Sequence, residues 1–262
     1  MNTGSEQSRI LNRVPQIILI YWVIKIASTT LGETGADMFS MTFNIGYAAT
    51  ILIFMSLFLV LLAIKLSIRR YEPILYWLVF TSTAIAGTAI SDFFDRTLHM
   101  GYTVGSLVLL SALILILFAW KRSEKTIAVE EIRTNKAEAF YWTAFLVANT
   151  LGTAAGDFLA DELNIGFLHS AIIISVILLL ISLLHYFTKI SGVILFWFAF
   201  VLTRPFGATF GDLLTKPRDH GGLDFGTIGT SLFFFVILVI SVLVESRLEK
   251  QRNAALARVE VA

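Results

Sequence analysis

The 262-residue chain contains no cysteine, which removes disulfide frameworks, thiolate metal sites and cysteine nucleophiles in one step. Charge is scarce as well: 15% of residues are charged, against roughly 25% in an ordinary soluble domain. The 20 basic and 19 acidic residues leave a formal charge of +1, so no global excess points to nucleic acid or to an acidic partner. With 4 prolines and 17 glycines there is no linker or low-complexity segment. Phosphate loops, the HExxH zinc motif and the serine elbow are missing too, and no enzymatic activity is expected. What is present is 56% apolar and 13% aromatic, the composition of a membrane protein.

A helix needs about 20 apolar residues to cross a hydrocarbon core. Eight such runs occur, over Ile17–Ala36, Ile45–Leu66, Ile74–Ile90, Tyr102–Trp120, Phe140–Gly156, Phe167–Phe187, Val193–Phe210 and Thr227–Val244. An all-α, multi-pass architecture in the lipid bilayer follows. Of the 20 basic residues, 15 fall on one side of these runs: Arg9 and Arg13 before the first, Lys65, Arg69 and Arg70 after the second, five from Lys121 to Lys136, Lys189, and four from Arg247 to Arg258. Short basic loops stay cytoplasmic, so both termini are expected there. Met1 to Arg13 is polar and is read as retained rather than cleaved. Lys25, three residues after Trp22, is expected to snorkel to the cytoplasmic interface.

The runs are copies of one unit. Tyr21-Trp22, Tyr76-Trp77, Tyr141-Trp142 and Phe196-Trp197 each open an odd-numbered run, and fifteen residues after each Trp stands an aspartate: Asp37, Asp92, Asp157 and Asp212. Five residues before each Asp is a glycine suited to close helix packing: Gly32, Gly87, Gly152 and Gly207. Nine residues after the first three Asp is another, Gly46, Gly101 and Gly166, with Gly226 as the fourth counterpart after a five-residue insertion. The chain therefore reads as four two-helix repeats, 14–72, 73–122, 138–189 and 190–247, with a cytoplasmic linker over 121–138. Each repeat holds an even number of crossings, so all four are parallel, and closure about a pseudo-fourfold axis along the membrane normal would set the four Asp at one depth. Because Trp favours the interface and fifteen residues rise about 22 Å, that depth is the outer leaflet.

The four motifs, from Leu31-Gly32-Glu33-Thr34-Gly35-Ala36-Asp37 to Phe206-Gly207-Ala208-Thr209-Phe210-Gly211-Asp212, resemble the uncharacterised bacterial membrane-protein family built from four copies of a repeat of unknown function. The resemblance implies a bacterial inner-membrane protein and no particular activity. The second copy departs from the motif with Ile90-Ser91 where the fourth has Phe210-Gly211.

Intramembrane carboxylates are costly unless paired, protonated or metal-bound. Asp37, Asp92, Asp157, Asp212 and Glu33 are the candidate cation site, the four Asp its metal ligands, with Thr34, Thr88, Thr153 and Thr209 as auxiliary donors and Arg204, beside Pro205, as charge compensator for Glu33 or a ring Asp. Oxygen donors without Cys or paired His suit a hard cation or manganese rather than zinc or copper. No covalent cofactor is expected; a bound divalent cation is the candidate ligand, and a homo-oligomer is compatible with the fold. The leading expectation is a small-cation transporter or channel, for a divalent metal or coupled to protons. The alternative is a membrane scaffold or sensor whose Asp side chains cap the following segments.

Overall fold

The computed structural model describes residues 13–68 and 70–261, with side chains through 255. Of the sequence features above, residues 1–12 with Arg9, Arg69 and the Arg258 side chain lie outside the described residues.

Eight long helices follow one another: α1 (Leu19–Asp37), α2 (Tyr47–Ser67), α3 (Pro73–Asp92), α4 (Tyr102–Glu124), α5 (Asn135–Asp157), α6 (Phe167–Phe187), α7 (Gly192–Thr215) and α8 (Thr227–Val261). In the first three copies the Asp is followed by five residues of wider π-helical turn, Met38–Thr42, Phe93–Thr97 and Phe158–Glu162. The chain then turns through Asn44, His99 or Asn164 at φ 57, 54 and 53°, and two residues later through Gly46, Gly101 or Gly166 at 78 to 79°. Asn and His tolerate the left-handed region better than most residues, and glycine enters it freely. His99 is thereby accounted for as a turn residue. The fourth copy keeps Asp224 and Gly226 in the same roles, at φ 60 and 74°.

Among the described residues six helices are long and apolar enough to cross a membrane: α2, α3, α4, α6, α7 and α8. The other two of the eight expected spans fall short for a physical reason. Helix α1 carries Lys25, Thr29, Thr30, Glu33, Thr34 and Asp37, and α5 carries Glu138, Asn149, Thr150, Thr153 and Asp157, all turned into the protein. The expected linker is also shorter than read, since α4 runs to Glu124 and α5 begins at Asn135, with a 3-10 turn at Val129–Glu131 between them. Trp197 Nε1 donates to Ile127 O at 3.1 Å and pins that connection to α7.

Packing joins the copies. The odd helices meet in a closed circuit, α1 on α3, α3 on α5, α5 on α7 and α7 on α1. Each even helix packs on the odd helix of the next copy, α2 on α3, α4 on α5, α6 on α7, and α8 back on α1. The glycines five residues before each Asp lie where odd helices cross. A Cβ would come within 2.6 Å of Ala84 at Gly32, 2.9 Å of Asn149 at Gly87 and 2.6 Å of Thr29 at Gly207, and at Gly152 it would overlap the Arg204 side chain. Close approach of backbones at small residues is how helices associate without a hydrophobic drive between them.

At one end of the bundle Glu138 accepts from Arg13 at 3.0 Å and from Lys65 at 2.9 Å, all three buried. This places the segment before α1, the end of α2 and the start of α5 together, as an antiparallel hairpin repeat requires. Trp77, Trp120, Trp142 and Trp197 are buried within the protein, and Trp77 Nε1 donates to Glu245 at 2.6 Å.

Candidate functional site

The inside of the odd-helix circuit can be read by stepping back four residues at a time from each Asp, about 6 Å and about 40° of rotation per step, so that successive levels wind slowly around each helix. The outermost level is Asp37, Asp92, Asp157 and Asp212, each no more than 2% exposed. Next come Glu33, Thr88, Thr153 and Ala208, then Thr29, Ala84, Asn149 and Arg204, then Lys25, Phe80, Phe145 and Phe200, and last Tyr21, Tyr76, Tyr141 and Phe196. Every one of these twenty side chains is buried.

Two cations clamp the Asp level. Lys216 Nζ lies 2.7 Å from Asp37 and 3.2 Å from Asp212. Arg96 lies 3.3 Å from Asp92 and 3.9 Å from Asp157. Each clamp bridges neighbouring odd helices, α7 to α1 and α3 to α5. Burial works against the Lys216 ammonium, but Asp212 and Asp37 outweigh it and hold its pKa well above the ordinary lysine value. The five-residue insertion of the fourth copy folds back along the end of α7, with Leu223 N donating to Leu213 O at 2.7 Å and Asp224 N to Lys216 O at 3.0 Å. It thereby fixes Lys216 over its two partners.

Arg204 lies one level deeper than Glu33 and reaches three other helices. Its two terminal nitrogens each donate to Glu33 Oε2 at 3.3 Å, one also to Thr153 Oγ1 at 2.8 Å and to Thr88 Oγ1, the other to Thr29 O at 3.4 Å. Thr88 and Thr153 in turn donate to the same Glu33 oxygen at 3.3 and 3.2 Å. Glu33 is therefore the partner of Arg204, and Asp212 on the same helix is not. An always-charged guanidinium in a buried setting needs such a set of acceptors.

The other expected auxiliary hydroxyls are placed differently. Thr34 accepts from Ser231 at 2.9 Å, and Thr209 donates to Pro205 O in its own helix at 2.9 Å. The four Asp do not form one compact ligand set; the carboxylates whose oxygens lie within 4.8 Å of one another are Glu33, Asp37 and Asp92. Nor does Asp37, Asp92 or Asp157 place a side-chain hydrogen bond on the turn that follows it, so none acts as a helix cap there. Asp37 Oδ1 and Asp92 Oδ2 are buried with no hydrogen bond among the described residues, while Asp92 Oδ1 faces Arg96. Such oxygens fit a hard cation, whose ligands are carboxylates and other oxygen donors.

Lys25 does not snorkel. It is fully buried, with Nζ 3.6 Å above the Phe200 ring and 5.1 Å from that of Phe80. Counting Lys25 and the clamps, the column holds five acids, Glu33 and the four Asp, against four bases, Lys25, Arg96, Arg204 and Lys216. From sequence alone Arg96 and Lys216 read as loop residues. The signal for both was their position four residues after Asp92 and Asp212, which puts them on the same helix face.

A groove of about 490 Å³ opens among the described residues between α1, α6 and α7, lined by Trp22, Ile26, Leu178, Phe196 and Thr203. None of the four Asp lines it.

Comparison with known proteins bears on the repeat. Residues 20–71, 75–126, 140–191 and 195–251 each match the family described as Repeat of Unknown Function (DUF347). The chain belongs to that family. Within this chain the Asp, the glycine five residues earlier and the positive-φ hairpin turn recur in all four repeats, while Glu33, Lys25 and Arg204 each occur in one copy and the basic residue four after the Asp in two, as Arg96 and Lys216. No match is found among curated proteins or among solved structures.

Proposed function

We propose that the chain is a small-cation transporter of the bacterial inner membrane, with the buried charged column as its route and Glu33, Asp37 and Asp92 as its binding site. The observation that carries this reading is the charge of the column, in which five acids face four bases behind walls that exclude water. An uncompensated buried carboxylate is costly, and the shortfall equals one proton or one monovalent cation. A divalent ion would enter as a proton leaves or as a clamp opens, so coupling of metal to protons follows from the same arithmetic.

In this reading all eight helices cross the bilayer. The polar faces of α1 and α5 are hidden inside the odd-helix circuit, and the four repeats surround a pseudo-fourfold axis with the Asp level in the outer leaflet. The basic ends of the hairpins are cytoplasmic by the positive-inside rule, as are both termini. Reporter fusions after Arg70, Lys125 and Lys189 should report the cytoplasm, and one near Lys216 the outside. An inversion among the first three would break the eight-span arrangement.

Flux into proteoliposomes tests the function: manganese, magnesium, calcium and protons are offered in turn to the wild type and to Asp→Asn variants. Asp37→Asn and Asp92→Asn should abolish the flux in protein that still folds and inserts, with a loss of stability no greater than that of the matching clamp variants Lys216→Ala and Arg96→Ala, and Asp157→Asn should reduce it less. A second reading, a scaffold or sensor, is favoured by the clamps, since Lys216 and Arg96 each tie two odd helices together. Absence of flux for every ion, with Asp variants that only lower the melting temperature, would establish that reading instead.

A further inference from the structure

Lys25 is the one charged side chain of the column that none of the acids engages. Its Nζ is fully buried and has no hydrogen-bond acceptor among the described residues. What surrounds it is aromatic. Phe200 lies 3.6 Å beneath the ammonium and Phe80 5.1 Å away, while Phe145 stacks on Phe200 with centroids 4.1 Å apart and meets Phe80 edge-on at 5.3 Å. The other three odd helices thus supply three phenylalanines at the level where α1 supplies a lysine. On the far side from the acids the column continues as Tyr21, Tyr76 and Tyr141, with the Tyr76 and Tyr141 hydroxyls bonded to each other. On the near side stands Arg204.

Ring faces attract a cation, more strongly once it is desolvated, and a fixed positive charge in a narrow path repels other cations. A lysine that fills an aromatic cage therefore does two things. It occupies the volume at the phenylalanine level, and it places an ammonium where a migrating cation would have to pass.

We infer that Lys25 is a tethered ammonium plug, held in a cation-π cage of Phe80 and Phe200 buttressed by Phe145, that closes the column on the cytoplasmic side of the acid cluster. The cage is a site for a primary ammonium, filled by the chain's own side chain. Cations then reach Glu33, Asp37 and Asp92 from the outer end, and passage inward requires Lys25 to leave the cage. The inference rests on the reading of the column as a cation route.

The experiment measures potassium and methylammonium flux into proteoliposomes bearing wild type, Lys25→Ala or Lys25→Met. Lys25→Ala removes both the charge and the volume and should raise passive flux of both ions at least tenfold. Ethylammonium should suppress that leak by refilling the cage, and ethanol at the same concentration should not. Lys25→Met keeps the volume without the charge and should give a smaller rise, in cations only, with chloride still excluded. Folded Lys25→Ala protein no leakier than wild type overturns the plug, as does a leak blocked equally by ethanol. If Lys25→Ala does not fold, Lys25→Met decides alone, and flux equal to wild type overturns the inference. Coupled transport by wild type with no added leak in either variant removes the plug and leaves the transport reading. A leak in Lys25→Ala from a wild type that transports nothing keeps the plug and removes the transport reading; no flux in any of the three removes both.

Discussion

Helices α3 and α4 are the consecutive halves of one repeat, and they sit in the protein in opposite ways. Of the apolar stretch in α3, 72% is buried, with mean hydropathy 1.5; in α4 the figures are 11% and 2.4. The more hydrophobic helix is the more exposed one. Residues such as Leu115 and Phe118 of α4 are 66 and 63% exposed, while Thr83, Thr88 and Asp92 of α3 are buried. In water such an arrangement would be inverted, because apolar surface drives burial there. In a bilayer the lipid takes the apolar side chains, and polar groups mark the inside, where they can find partners. The same contrast separates α7, 56% buried, from α8, 28% buried. It teaches that the odd helices carry the specific interactions and the even helices the solvation.

Several substitutions can break or sharpen this contrast, all read as unfolding in detergent. The largest effect should come from Arg204→Ala, which strips Glu33, Thr88 and Thr153 of their common partner. Breaking a buried pair costs about 3 to 5 kcal/mol, and Glu33→Gln should recover part of that loss in a double-mutant cycle. Strict additivity would show that the two do not act as a pair. Gly152→Ala comes next. Its Cβ would overlap Cγ and Cβ of Arg204, an overpacking worth about 1 to 3 kcal/mol. Gly35→Ala, whose nearest neighbour would be Ile85 at an ordinary 3.6 Å, is the matched control and should be nearly neutral.

The clamps should rank below. Lys216 and Arg96 are 16 and 28% exposed, so Lys216→Ala and Arg96→Ala should each cost about 1 to 2 kcal/mol, between the values for surface and buried pairs. Lys216→Ala should be the worse of the two, since its contacts are shorter and it is the more buried. The smallest effect belongs to α4: Leu115→Ala, facing outward, should change stability by less than about 0.5 kcal/mol. A loss there as large as at Gly152 would mean that α4 is covered by another chain rather than by lipid or detergent.

Much of this was legible in the sequence, because the repeat fixes its own register. The fifteen-residue step from Trp to Asp located the odd helices, the glycine five residues before Asp located their crossings, and Arg204 inside an apolar run demanded an acid that turned out to be Glu33. The eight helices followed from apolar runs alone. What stayed hidden was pairing between copies. Lys216 was legible as four residues after Asp212, but not as the partner of Asp37, since that depends on α7 meeting α1. Lys25 looked like an interfacial lysine because it follows Trp22; it is buried instead against Phe80 and Phe200, which α3 and α7 bring to its level. The contact of Trp77 with Glu245 of α8 was hidden for the same reason, since that helix belongs to a different repeat.

The central claim is that the column has one more acid than it has bases and that a cation makes up the difference at Glu33, Asp37 and Asp92. Equilibrium dialysis of the purified protein in detergent against manganese and against rubidium, with proton release recorded on binding, tests it most directly. The account predicts a single site per chain, at which rubidium binds with the loss of at most one proton and manganese with one proton more, and it predicts that Asp37→Asn abolishes the site in protein that remains folded, its melting temperature lowered no more than by Lys216→Ala. Saturable binding unchanged in Asp37→Asn and in Asp92→Asn, or no binding of either ion across pH 6 to 9, would contradict it.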